Sequence, residues 1–335
     1  MKKEKRMFEP LGTPAFMLDE GRGVMRSPIV EILVFFLLTL VAQVVQSALV
    51  TPFVIFYILS DGSFLEISQT GDMAAYMAYV SEITEKISAS PLFQLLMLFS
   101  TAATVIAVLI YVRLISKRSL ASLGLTKRPV GPYAVGFLLG VLAFAAAVGF
   151  SLLFGSVSFA GISGNTNALL IVALLLGYAV QGFSEEFLCR GYLMTALGRS
   201  MPLWMAVVSS AFAFAALHVG NTGYSLIAFV NVFLFGVLMA LYMIRRGSLW
   251  GAAALHAAWN FAEGVLTNFR VSGMPSASSV FSFALREGDE WIHGGAFGPE
   301  GGIAVTCVLT VGIVLLLMMK TKVTVPPMTV KTEEK

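Results

Sequence analysis

Residues 29–58 read IVEILVFFLLTLVAQVVQSALVTPFVIFYI, a run whose one charged residue, Glu31, stands at its leading edge. A hydrocarbon core of ~30 Å needs ~20 consecutive apolar residues in a helix, so this stretch crosses a bilayer with length to spare. It is also too long for a signal-peptide core and reads as an uncleaved first span. Pro52 inside it predicts a kink or a strong tilt. Working outward from this run, further apolar stretches lie near 92–116, 131–156, 167–190, 201–219, 224–244, 248–267 and 302–320. The pattern predicts an all-α, polytopic membrane protein of about eight transmembrane helices, with the lipid bilayer as its solvent.

Composition says the same. Apolar residues make up 57% of the 335 positions, charged residues 12%, and the mean hydropathy is +0.84. A soluble domain carries roughly 25% charged residues, so the polar groups here are too few to cover a water-soluble globule. The net charge is +3 and its Lys and Arg gather at the edges of apolar runs, which excludes a nucleic-acid-binding surface. Cys189 and Cys307 each sit inside an apolar stretch, so no disulfide framework exists to report on compartment.

Loop charges set an orientation. Lys2, Lys3, Lys5, Arg6, Arg22 and Arg26 precede the first span, and Asp61, Glu66, Asp72, Glu82 and Glu85 follow it against one Lys86. Arg113, Lys117, Arg118, Lys127 and Arg128 follow the second span, and 157–166 is an uncharged link. Arg199, then Arg245 and Arg246, then Lys320 and Lys322 mark the later basic boundaries. Every second boundary is basic, which places both termini in the cytoplasm of a cell-membrane protein. The chain divides into a cytoplasmic segment 1–28, two helices and an outer loop (61–91) over 29–114, a core over 115–320, and a tail at 321–335. The other long outer loop, 268–301, is Gly- and Ser-rich and reads as a lid, a re-entrant element or an ordered surface loop. No internal repeat is visible, which weighs against the repeat-built transporters.

Ionisable groups at bilayer depth cost at least ~2.5–3.5 kcal/mol each. They gather in spans four, five and seven: Glu185, Glu186, Arg190, His218, His256 and Asn260, with Glu263 nearer the interface. Glu186 and Arg190 are four apart and share a helix face. Glu185 points roughly 100° away, so one carboxylate can be neutralised while its neighbour faces a cavity. His256 and Asn260 share a face in the same way, and Phe214 lies one turn before His218, where it can brace the imidazole. A Glu–Arg pair at this spacing is often only packing glue, and a lone buried histidine is often bonded to a carbonyl. Six such groups on three helices are harder to explain that way.

A carboxylate and an imidazole converging on one water can take its proton and direct it at a carbonyl. A second imidazole with a carboxamide can stabilise the oxyanion that follows. This set suffices for peptide-bond hydrolysis without a covalent intermediate and without a cofactor. Zinc held by Glu185, His218 and His256 is an alternative, although no HExxH spacing is present. A thiol mechanism through Cys189, which shares the Glu185 face, is another, and a non-catalytic immunity scaffold or small-solute transporter would use the same cluster differently.

Glu185-Glu186-Phe187-Leu188-Cys189-Arg190 reads EExxxR, Phe214 to His218 reads FxxxH, and His256 to Asn260 reads HxxxN. Three motifs in this order on successive apolar segments resemble the CPBP family of CAAX proteases and bacteriocin-processing enzymes (the Abi family) over roughly 115–320. The stretch SLASLGL at 119–125 and the sequence GPEGG at 298–302 resemble bacterial members more loosely. The resemblance implies a type II CAAX prenyl endopeptidase-like bundle and a metal-independent, glutamate-type intramembrane protease. It implies Glu185 as general base, His218 as its partner on the water, His256 and Asn260 as the oxyanion pair, and Glu186 and Arg190 as supports. The implied substrate is a peptide or protein, a lipid-modified or membrane-embedded one included, cut in CAAX-type or bacteriocin-related maturation. One tension follows from counting along the spans: His256 and His218 differ in depth by ~13 Å at 1.5 Å per residue.

Overall fold

The computed structural model describes residues 11–18 and 27–319. The basic residues expected to hold the N-terminus inside, Lys2 to Arg26, and the tail at 321–335 with Lys320 lie outside the described residues.

Helices dominate. They are α1 (Pro28–Asp61), α2 (Ser63–Thr70), α3 (Met73–Ser88), α4 (Pro91–Ile115), α5 (Val130–Leu153), α6 (Ala168–Leu197), α7 (Leu203–Ala216), α8 (Leu226–Arg246), α9 (Leu249–Phe261) and α10 (Ile303–Met318). Of these, α1, α4, α5, α6 and α8 are long and apolar enough to cross a membrane. The shorter α7, α9 and α10 fall where the remaining spans were expected, and α9 continues as a π-helical turn over Ala262–Leu266. α1 runs on through Pro52. Its outward side chains are lipid-like, with Leu33, Phe36, Leu37, Leu40, Val44 and Leu49 all exposed. An apolar exterior on this scale does not occur on a water-soluble monomer. The chain is a multi-pass membrane protein.

Two stretches read as loops have structure of their own. Residues 61–91 fold into α2 and α3. Asp72 caps α3 by accepting from the backbone N–H groups of Ala74 and Ala75, and Tyr79, Ile83 and Ile87 recur at four-residue steps to bury one face. That face packs on Phe53, Tyr57 and Phe93, at the end of α1 and the start of α4. The link at 157–166 contains β1 (Val157–Ile162), which pairs antiparallel with β2 (Phe281–Leu285) from the 268–301 loop, with an irregularity between Phe159 and Gly161. The all-α bundle thus carries one two-stranded sheet. A six-residue strand whose partner lies more than a hundred positions away leaves no local signature. The rest of 268–301 is ordered, much of it buried, and closes over one end of the bundle.

The centre of the bundle is α9, buried at every position but Trp250. Its sequence, LWGAAALHAAWNF, is mostly small residues, and in lipid it is small residues that let helix backbones approach. α5 meets it with Gly136 and Gly140, a GxxxG pair: a Cβ at either glycine would collide with the carbonyl of Gly251 or of Leu255. α6 meets it with Gly182, where a Cβ would come within 2.8 Å of the Ala257 nitrogen. These seams bring His256 on α9 to the carboxylates of α6. Gly136→Val forces the α5–α9 seam apart and is expected to cost about 1–3 kcal/mol, the usual price of overpacking. Gly149→Val on the same α5, where a Cβ meets nothing within 4 Å, serves as the control. Thermal unfolding in detergent should show a midpoint lowered by several degrees for the first and unchanged for the second.

Candidate active site

α6 presents two faces. Gln181 and Glu185, one turn apart, form one; Glu186 and Arg190 form the other. The helix passes from α to π hydrogen bonding at Phe187–Met194, directly after the two carboxylates, a distortion found frequently at functional sites.

Glu186 is closed off. Its Oε1 accepts from Arg190 Nη1 at 3.0 Å and lies 2.9 Å from His256 Nδ1, with Glu186 and Arg190 side chains both 0% exposed. The Arg190 guanidinium lies over the Phe214 ring at 4.5 Å. Glu185 is different. Its side chain is 28% exposed, its Oε1 accepts from Gln181 Nε2 at 2.8 Å, and its Oε2 stands 3.7 Å from His256 Nε2. Asn260 donates from Nδ2 to Gln181 Oε1 at 2.9 Å. Gln181 therefore joins Glu185 to Asn260. The sequence reading passed over Gln181 because it is not ionisable, yet its position four residues before Glu185 put it on the same face.

His256 is held at Nδ1. A carboxylate oxygen can only accept, so Nδ1 carries a hydrogen toward Glu186. Nε2 faces Glu185 Oε2 at 3.7 Å, beyond hydrogen-bond distance.

His218 is reached by a helix that stops short. α7 ends at Ala216, and the backbone N–H of His218 bonds to the carbonyl of Ala215, at three residues instead of four. The Phe214 carbonyl is thereby open to the imidazole, whose Nδ1 donates to it at 2.9 Å. Phe214 also packs edge-on against the ring, with centroids 4.7 Å apart. In the neutral tautomer this bond selects, Nε2 is left as an acceptor. At 14 residues, or about 21 Å, α7 is shorter than a hydrocarbon core. Non-helical backbone at membrane depth is tolerated where it lines a cavity, and His218 lines two.

Two adjoining cavities meet here, of about 150 Å³ and about 360 Å³. The smaller is lined by Glu185, His218, His256 and Asn260 together, so the presumed difference in depth between the two histidines does not separate them. Glu185, Gln181 and His218 face both cavities, and the larger extends toward α1 and α4. Ser272 and Met274 from the 268–301 loop close the smaller one. Cys189 reaches the wall of the larger at 1% exposure. Glu263 is enclosed entirely by protein under the 298–302 turn. Among the described residues no group of three or more His, Cys, Asp or Glu side chains is arranged to hold a metal ion.

The smaller chamber is lined by two carboxylates, Glu185 and Glu300, and two imidazoles, His218 and His256, an arrangement that can hold and polarise a water. Residues 165–262, which contain all three motifs, match the family described as type II CAAX prenyl endopeptidase Rce1-like. That match spans less than a third of the chain. No curated protein and no solved structure matches.

The cavity geometry makes a test independent of activity. In a protein with Cys189 and Cys307 replaced by Ser, Asn221→Cys on the chamber wall is expected to react with a charged, water-soluble thiol reagent at least about tenfold faster than Leu138→Cys on the lipid-facing side of α5, because only a hydrated thiol ionises readily. Equal rates would mean a dry chamber.

Proposed function

We propose that the chain is an intramembrane endopeptidase that hydrolyses a peptide bond through a water activated by Glu185 and His218. The observation that carries this reading is the asymmetry of the two adjacent glutamates. Glu186 is locked between Arg190 and His256, whereas Glu185 opens onto both cavities with only the Gln181 amide and His256 beside it. The match of residues 165–262 to a family of CAAX prenyl endopeptidases supports the same conclusion.

In this reading Glu185 accepts a proton from a water that His218 Nε2 orients, and the hydroxide adds to the scissile carbonyl. The oxyanion that forms takes hydrogen bonds from His256 Nε2–H and from the second N–H of Asn260, whose first is engaged by Gln181. Collapse breaks the C–N bond, and Glu185 returns its proton to the departing amine. Glu186 holds His256 by its Nδ1–H and so fixes the direction of Nε2. The substrate is a peptide or protein, with CAAX-type or bacteriocin-related processing as the maturation steps it fits, in a cell membrane with both chain termini cytoplasmic.

Glu185→Ala is expected to lower cleavage of a fluorogenic peptide by at least about 10²–10⁴ while leaving detergent elution and thermal midpoint unchanged. EDTA or phenanthroline should leave wild-type turnover intact. A variant that still turns over would remove Glu185 from the role, and a chelator loss that zinc restores would transfer the chemistry to a metal. Gln181→Leu unties Glu185 from Asn260 without touching the substrate's carbonyl. It should lower kcat about 10- to 100-fold, the scale of a small misplacement of reacting groups, with KM little changed; an unaltered kcat would leave Gln181 as packing.

A further inference from the structure

The larger cavity has a wall that this hydrolytic scheme does not use. Thr39, Gln43 and Gln46 stand on α1 at steps of four and three residues, so they share a face, and all three line the cavity. Gln46 Nε2 donates to Thr104 Oγ1 on α4 at 3.3 Å, tying the two helices together at this wall. Gln43 lies near the middle of α1, is exposed, and has no hydrogen-bond partner among the described residues. A carboxamide offers two N–H donors and a carbonyl, and unpaired in hydrocarbon it costs several kcal/mol. A group kept there at that cost faces a polar occupant.

The character of that occupant follows from what the wall lacks as well. Among the described residues, neither cavity is lined by a Lys or Arg. Arg190 is sealed against Glu186, and Arg270, which adjoins the lining residue Val271, donates to Glu85 and to the Gly273 carbonyl. The carboxylates and imidazoles on the lining are Glu185, Glu300, His218 and His256. A free C-terminal carboxylate would meet negative charge and no cation. A peptide backbone is neutral and alternates donors with acceptors, as the amides do.

We infer that Gln43 and Gln46, with Thr104, bind the backbone of an extended, uncharged internal segment of a polypeptide across the chamber from Glu185, so that internal bonds are cut and no free C-terminus is read. The inference rests on the hydrolytic reading of Glu185 and extends it to the class of substrate. Gln43 acts on binding and makes no contact with the reacting atoms.

The test uses the full chain in detergent and two synthetic peptide libraries with randomised uncharged cores and flanking lysines, one amidated at the C-terminus and one with the free carboxylate. Cleavage sites are read by mass spectrometry. Both libraries should be cut at the same internal bonds, with rates within about threefold of each other. On the best peptide found, Gln43→Leu should raise KM about tenfold with kcat within about twofold, the pattern of lost ground-state and transition-state binding alike. Because Gln43 has no hydrogen-bond partner among the described residues, this variant should keep its thermal midpoint, and Gln43→Asn should recover part of the KM. Cleavage confined to the free-carboxylate library would overturn the inference and leave proteolysis standing. So would a Gln43→Leu enzyme with unchanged KM, whose wall then merely wets the chamber. A wild-type protein that cuts neither library, at any bond, would sink the hydrolytic reading and this inference together.

Discussion

One carboxylate oxygen organises the centre of this protein. Glu186 Oε1 sits 3.0 Å from Arg190 Nη1 and 2.9 Å from His256 Nδ1, all of it closed to solvent. Desolvating a charge costs several kcal/mol even after the protein relaxes, and only a well-made pair repays that. Removing Glu186 or Arg190 leaves its partner an uncompensated buried charge, at a cost on the order of 3–5 kcal/mol. The interaction therefore does more than join Glu186 to the next turn of its own helix. Through His256 it locks α6 to α9 at one register, and through the Arg190 guanidinium it holds the face of Phe214, so α7 is fixed by the same group. Three helices that carry functional side chains are cross-linked at a single buried anion.

That cross-link is possible only because the backbones are close. α9 is a helix of alanine and glycine with two large aromatic residues, and its neighbours present Gly136, Gly140 and Gly182 to it. Lipid gives little hydrophobic reason for helices to associate, so close van der Waals contact and internal hydrogen bonds must do it. The same economy appears at the other ends of the bundle. Arg245 bonds the carbonyl oxygens of Leu316 and Leu317 where α10 ends, and Asn231 bonds those of Glu300 and Gly302 where it begins. Buried polar side chains in this molecule are spread among tasks of capping and joining, and at the site several of them also reach a cavity.

How far the sequence carried the reading follows from this physics. The apolar runs placed the eight bundle helices to within a few residues at most of their ends, although α6 runs on past 190 to Leu197, because hydropathy over about 20 positions is a strong local signal. The i,i+4 spacings of Glu186 with Arg190 and of His256 with Asn260 put each pair on one helix face before any coordinates, and the structure brings Glu185, His218, His256 and Asn260 to one cavity. What stayed hidden was non-local or uncharged. β1 and β2 define each other only across a long separation, and α3 looks like an acidic loop until its Tyr79–Ile83–Ile87 stripe meets α1. Gln181, Gln43 and Gln46 drew no attention because amides carry no charge, although in hydrocarbon an amide is conspicuous for the same reason a carboxylate is. Counting residues also misled on depth: it treats each span as a full-length helix, and α7 has only 14 residues.

The short α7 has a consequence for the chemistry. In a continuing helix the Phe214 carbonyl would accept the His218 backbone N–H, and the imidazole would have to find its own partner elsewhere. Here that N–H turns to Ala215, and the carbonyl one full turn back from His218 accepts the ring nitrogen instead. The ring is thereby oriented by its own backbone, with no acidic residue behind it, while the ring of His256 is oriented by Glu186. A histidine braced by a neutral carbonyl has Nε2 free as an acceptor; one braced by a carboxylate is favoured as a donor once it takes a second proton. The two imidazoles are alike in sequence and opposite in electrostatic setting, as the two adjacent glutamates are. Environments that separate identical groups into acid and base, or into structural and reactive partners, are how a site with few residues assigns roles. In this chain the separation comes from where one helix stops and which carboxylate an arginine has closed.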